Sequence, residues 1–423
     1  MMIRLLKNSS IQNILLYIFA FVPLIIFTSK FLSDLFLTII AIYVIFSAIY
    51  DKSKIKYLSF FFIFVFYIFL NSLVQVNDLT KNFKSLALIR FPLYILFPYY
   101  INYNNINIYF VRNIRIIFYF IIFIFCFDIM YQSFFLKNII GYPADISYQR
   151  ISGFFKDELV AGAYLFFIFF IIIFLYESHK KINYFFLYFL ILIYICIFIS
   201  GDRTPFLMLN FFLFVYSIYN LKFLIINYKK VLHVFFTLFF IGVFFSNISD
   251  YSPIQKYKRT ILEISNDLNN SKDTSEFSFK RWNYFGMTVK SYLIFLSNPI
   301  FGTSYKTYSE ECKNMKYDDD FYKITMLDRD NNGCEIHPHN FYMQILSEQG
   351  IFGLLLIILL IYQLILLGKV AFSKNYKMIY SFFVLVYFFP LKPTGSIYTN
   401  FNLILLCSAI SFFVFISLYK KQN

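Results

Sequence analysis

Apolar runs such as "YLFFIFFIIIFLY" (Tyr164–Tyr176) recur along the whole chain, each bounded by a few polar or basic residues. A chain that is 60% hydrophobic and 24% aromatic, with only 14% charged residues, has too little polar surface to cover a water-soluble fold of 423 residues. The bilayer must act as its solvent, and within hydrocarbon each run satisfies its own backbone only as a helix. About twelve segments approach membrane-crossing length. The expected spans are Ile11–Ser29, Leu35–Tyr50, Tyr57–Val76, Ser85–Ile101, Ile116–Leu136 and Leu159–Tyr176. They continue with Tyr184–Ile199, Pro205–Leu221, Val231–Phe245, Gly350–Leu367, Met378–Leu391 and Phe401–Tyr419. The N-terminal run has a basic start but no small-residue cleavage site, so it reads as an uncleaved first span.

Orientation follows from the basic residues. The net charge of +15 is dispersed in short clusters between spans, which argues for membrane topology and against a nucleic-acid partner. With the N-terminus cytoplasmic, the inside loops are "YDKSKIK", "VRNIR", "ESHKK", "NYKK", "GKVAFSKNYK" and the tail "YKKQN". Every one is basic, and an even number of spans keeps them all on one side. The expected architecture is an all-α integral membrane protein with both termini cytoplasmic. Its parts are spans one to nine over 1–245, one long periplasmic loop over 246–342, and spans ten to twelve over 343–423. That loop contains "KRWNYFGMTVKSYLIFLSNPIFGTSYKTY", suited to a helix lying on or dipping into the membrane surface.

The unusual polar residues gather on the outer face. Arg203 lies in a four-residue turn, Arg150 in the loop before the sixth span, Arg281 at the start of the loop helix, and Arg90 in the outer part of the fourth span. An arginine at membrane depth needs an anion, and its planar fork fits phosphate oxygens; snorkelling to lipid headgroups is the bland alternative, strongest for Arg90. His337 and His339 precede Asn340, a favourable helix N-cap, and imidazole can take a proton near neutral pH. Gly350 and Gly353 permit close helix contact, while Gln344 and Glu348 read best as interfacial solvation. Cys126, Cys196 and Cys407 lie in spans as small apolar residues. Cys312 and Cys334 lie in the outer loop, where an oxidising compartment favours a disulfide; with His337 and His339 they form a weaker zinc alternative. Asp128 has no evident role, and "DDD" at Asp318–Asp320 reads as a solvated acidic stretch.

Four segments together resemble the O-antigen ligase and O-antigen polymerase superfamily. "HNFYMQILSEQGIFG" fits its pattern of histidine, polar residue, nine residues and Gly-x-x-Gly, on His339, Asn340, Gly350 and Gly353. "RISGFFKDELVAGAYL" is similar to its Arg-x-x-Gly-x-Phe segment. "ISGDRTPFLMLN" resembles its Ser-Arg-type turn, with Asp202 where serine is frequent. "KRWNYFGMTVKSYLIFLSNPIFGTSY" resembles its Arg-x-Trp segment ending in Pro-x-x-Gly. The resemblance implies a GT-C-like, metal-independent, inverting glycosyltransferase with no cofactor, active at the periplasmic face of the bacterial inner membrane. Its implied donor is a glycan on undecaprenyl pyrophosphate. Its acceptor is lipid A-core in a ligase or another repeat unit in a polymerase, with membrane lipids around it. It further implies His339 as the acceptor-activating group, His337 and Asn340 in support, and Arg203, Arg281 and, more weakly, Arg150 on the pyrophosphate. The ligase is the favoured expectation, the polymerase the alternative, and a polysaccharide flippase the reading from a different class.

Overall fold

The computed structural model describes residues 9–76, 78–106, 109–145, 150–156, 158–176, 184–219, 283–315, 334–335, 337–390 and 395–422. The described helices are α1 (Ser9–Ile25), α2 (Lys30–Tyr50), α3 (Ser59–Gln75), α4 (Leu79–Leu86), α5 (Arg90–Leu96), α6 (Phe110–Phe135) and α7 (Ala161–Tyr176). They continue as α8 (Tyr184–Ile199), α9 (Arg203–Tyr219), α10 (Asn283–Ser297), α11 (Tyr308–Asn314), α12 (Phe341–Leu367), α13 (Lys374–Tyr387) and α14 (Asn400–Gln422). Among the described residues the only β pairing is two isolated bridges, Lys137 with Pro143 and Asp145 with Arg150. Among the described residues, five helical stretches are long and apolar enough to cross a bilayer: Lys30–Tyr50, Lys52–Gln75, Phe110–Phe135, Phe341–Val370 and Asn400–Gln422. The protein is therefore an all-α membrane protein.

Each expected span meets described helix except Val231–Phe245, which lies outside the described residues. The fourth is not one helix. Pro92 and Pro98 lack the N–H that an unbroken helix requires, and 3₁₀ turns at Ala87–Ile89 and Phe97–Tyr100 flank the short α5. The segment read as a surface helix forms α10, which packs along α12.

The centre of the bundle is α14, 83% of whose apolar window is buried. It is apolar on all sides, as a fully surrounded helix must be. Small residues let its neighbours approach: Ser411 Oγ donates to the Tyr94 carbonyl at 2.9 Å, and Phe413 stacks on Tyr380 at 3.8 Å between ring centres. The membrane-facing helices keep apolar residues outside, among them Phe66, Phe120 and Phe214.

Segments assigned to one face by their basic residues touch one another. At the basic end, Tyr100 Oη donates to the Asp51 carbonyl, Gln363 Nε2 donates to the Lys56 carbonyl, and Lys420 lies over the Phe372 ring. At the other end, the Lys30 ammonium pairs with Glu158, Lys81 with Glu310 at 3.1 Å, and Arg90 with Asp34 at 2.8 Å.

Candidate active site

The polar end is built around a break in α12. Gly350 has φ 64° and ψ −168°, a conformation open in practice only to glycine. The break releases two carbonyls, of Ser347 and Glu348, and two amides, of Ile351 and Phe352, that a straight helix would pair with each other. Each finds a partner on one inserted segment. Thr303 N and Ser304 N donate to Ser347 O and Glu348 O at 3.0 and 2.7 Å, while Ile351 N and Phe352 N donate to Pro299 O and Ile300 O at 2.9 and 3.3 Å. The fit is tight enough that a Cβ on Gly302 would lie 2.4 Å from Gln349 N, and one on Gly350 would lie 2.3 Å from Ile300 O. From α3, Tyr67 Oη donates to Gln349 O at 2.7 Å, and Asn71 Nδ2 reaches Phe301 O at 2.9 Å and Gln349 Oε1 at 3.0 Å. The Pro-x-x-Gly and Gly-x-x-Gly motifs are thus two halves of one interlock. Gly353 keeps clear of the Gln349 side chain, whose Cβ would stand 2.3 Å from an added methyl.

Below that interlock sits a buried polar network. The Glu348 carboxylate is fully buried, accepting from Tyr308 N at 3.1 Å and from Gln344 Nε2 at 3.2 Å. Gln344 also donates to Ser396 Oγ at 3.0 Å and accepts from Ile397 N at 3.3 Å. The expectation that these two residues are solvated at the interface is therefore wrong. Their one-turn spacing marks a shared face, but α11 and the segment before α14 cover that face.

Above it, Asn340 caps α12. Its Oδ1 accepts from Tyr342 N and Met343 N at 3.0 and 3.2 Å, and its Nδ2 donates to Pro390 O at 2.8 Å, fixing the helix start to the end of α13. His339 precedes the cap with φ 54°, an unusual left-handed conformation outside glycine. Its Nε2 lies 2.6 Å from Glu335 Oε2, and its ring lies 4.4 Å from that of the half-buried His337. A carboxylate on Nε2 fixes the orientation of the ring and leaves Nδ1 as its other polar atom. Glu335 went unnoticed in the sequence, although it stands four residues before His339.

Cys312 and Cys334 form a disulfide just ahead of this pair, which removes both thiols from any zinc set with the histidines. Among the described residues no cluster of three metal-ligating side chains occurs. Lys290 of α10 is enclosed beside the bridge, its Nζ 3.6 Å from Cys334 Sγ, and burial lowers its pKa to about 8. The bridge closes a loop of sequence separation 22. Reduction, or Cys312→Ser, is expected to cost about 3 kcal/mol by releasing that loop. Thermal unfolding with and without reductant measures it, and an unchanged midpoint would remove the bridge as a support of the histidine segment.

The arginines take different roles. Arg203 opens α9 half-buried and makes no hydrogen bond or ion pair with any described residue. Arg150 pairs with Asp202, and its Nη2 also donates to Leu159 O at 2.6 Å. Asp202, 3% exposed, accepts from Gly162 N at 2.9 Å, so this ion pair holds the turn from which Arg203 projects. Ile151 N donates to Ser200 O at 3.1 Å across the same junction. Arg90 is held by Asp34 and Asn400, which favours an internal role over snorkelling. Arg281 and Asp318–Asp320 lie outside the described residues. Asp128, fully buried in α6, accepts from Ile139 N at 2.9 Å, while Gln132 and Asn138 bind the backbone of Gly153. These side chains shape the loop that carries Arg150.

An arginine at a helix start with no partner among the described residues, a histidine beside a carboxylate and a broken membrane helix thus occur in one all-α membrane protein. Residues 160–358, somewhat under half of the chain, match the family model described as O-antigen ligase, which supports the resemblance drawn from the motifs at Arg203, Arg281 and His339. The matched stretch contains Arg203, Arg281, His339, Asn340, Gly350 and Gly353. A comparison with curated proteins finds no match.

Proposed function

We propose that the protein is a glycosyltransferase of the periplasmic face that transfers a glycan from undecaprenyl pyrophosphate to a sugar hydroxyl, with O-antigen ligation to lipid A-core as the leading reading. The observation that carries it is His339, held beside Glu335 at the capped start of α12. The acceptor hydroxyl gives its proton to His339 as its oxygen bonds to the anomeric carbon. The carbon–oxygen bond to the pyrophosphate breaks, and the leaving group keeps the electron pair. Single displacement inverts the anomeric centre. Charge developing on the pyrophosphate is met by Arg203 and Arg281, while Arg150 acts through Asp202 by fixing the Arg203 turn. These cations make a metal unnecessary. His337 packs against His339, and the interlock at Gly350 holds the helix below in register.

That Arg150, Arg203 and His339 all belong to segments read as facing one side supports transfer over a flippase, which needs charges along the transport path. Ligase and polymerase share every one of these residues, so the acceptor decides between them. Purified protein in EDTA is given a synthetic undecaprenyl-pyrophosphate glycan with lipid A-core and excess free donor in competition. The expected product is glycosylated lipid A-core. Elongated lipid-linked glycan would make the protein a polymerase, and no turnover on either acceptor would overturn the glycosyltransferase reading.

A further inference from the structure

A second feature lies at the opposite, basic end of the bundle. Between the first half of α6 and the first half of α8 runs a groove of about 730 Å³, with Tyr176 at the end of α7 as its floor. Its walls include Arg115, Tyr119 and Phe123 from one face of α6, and Phe185 and Phe189 from α8. The aromatic walls are already packed against one another: Tyr119 meets Phe185 at 5.7 Å and Phe189 at 4.8 Å, and Tyr176 stacks on Phe186 at 3.5 Å. Phe123 and Phe185 remain 54% and 62% exposed, so the groove opens sideways to the membrane.

Among the described lining residues Arg115 is the one cation. It is half-buried and makes no hydrogen bond or ion pair with any described residue. It sits in "VRNIR", one of the basic segments that orient the chain, so the groove occupies the cytoplasmic leaflet. From the cation the lining continues along α6 through Tyr119 to Phe123, apolar toward the bilayer centre. A headgroup phosphate beside a guanidinium, with an acyl chain along aromatic rings, matches this order of chemistry. The volume falls within the roughly 300–1,000 Å³ of formed ligand sites.

We propose that this groove is a binding site for an anionic phospholipid of the cytoplasmic leaflet, its phosphate on Arg115 and one acyl chain between α6 and α8. The site is separate from the one that carries His339 and stands whether or not the protein transfers glycans.

The test uses the full chain in mixed micelles, with Phe120→Trp as a reporter at the groove's exposed rim. Trp282, the sole native tryptophan, gives the background from the parent protein. Dibrominated phosphatidylglycerol is expected to quench the reporter at about fivefold lower mole fraction than dibrominated phosphatidylcholine, the preference one cation confers near an anionic headgroup. Arg115→Gln should abolish that preference without shifting the unfolding midpoint, whereas Lys369→Gln, exposed just past α12 at the same basic end and outside the groove lining, should leave it intact. Equal quenching by the two lipids would reduce the groove to ordinary lipid contact and overturn the proposal. So would a preference that survives Arg115→Gln, or one lost equally in Lys369→Gln. Displacement of the bromolipid by stoichiometric undecaprenyl pyrophosphate would overturn it in favour of the donor's own chain.

Discussion

His339→Ala is expected to lower the rate of glycan transfer by about 10²–10⁴-fold, the range that a positioned proton acceptor contributes. The loss should fall on kcat rather than KM, because the pyrophosphate-binding arginines are untouched. One complication is built into the backbone: His339 adopts φ 54°, which alanine tolerates poorly. A paired variant, His339→Asn, removes the imidazole but accepts the left-handed conformation. Loss of turnover in both, with an unchanged unfolding midpoint for His339→Asn, would isolate the chemistry from the fold. Turnover by His339→Asn within threefold of the parent would remove His339 from the mechanism. Single-turnover assays with synthetic lipid-linked donor, in detergent and EDTA, provide the measurement.

The largest expected effect on stability is at Gly350. Alanine there would occupy a backbone region that costs about 1–3 kcal/mol outside glycine. Its Cβ would also stand 2.3 Å from the Ile300 carbonyl oxygen, which cannot retreat while it accepts from Phe352 N. Relief requires Pro299–Ser304 to leave the helix, stranding two carbonyls and two amides in a membrane-spanning segment. Gly350→Ala is therefore expected to unfold the outer end of α12 and abolish activity. Gly141→Ala is the control, since it shares a positive φ of 102° but has nothing within 4 Å of the added methyl. Thermal unfolding in detergent should show a small shift for Gly141→Ala and a large one for Gly350→Ala. Equal shifts would mean that backbone strain, and not the interlock, is what the glycine serves.

The spans were legible because the solvent dictates them: a run of isoleucine, leucine and phenylalanine has one way to satisfy its backbone in hydrocarbon. The failure at Ser85–Ile101 is also local, since Pro92 and Pro98 are visible in the sequence and hydropathy outweighed them. The site was legible only in its residue types. Gly350 reads as a contact residue because its true partner, the Pro299–Ser304 backbone, is joined to it by hydrogen bonds that no periodicity reports. Glu348 and Gln344 look solvated for a related reason, as spacing gives a face without saying what covers it. The Arg150–Asp202 pair joins residues far apart in the chain, so no local pattern could neutralise that arginine in advance. Glu335, four residues before His339, was within reach of a local reading.

The interlock also carries a consequence for how the chain is made. Asn71 sits in a membrane-spanning helix, 6% exposed, with its amide committed to Phe301 and Gln349. Those partners lie 230 and 278 residues further along the chain. At about 5–20 residues per second, the ribosome delivers them on the order of tens of seconds after α3 has emerged. For that interval a polar side chain waits at membrane depth without its final acceptors. The third helix is thus provisional on insertion, and its seating is completed only when the loop and the tenth expected span arrive.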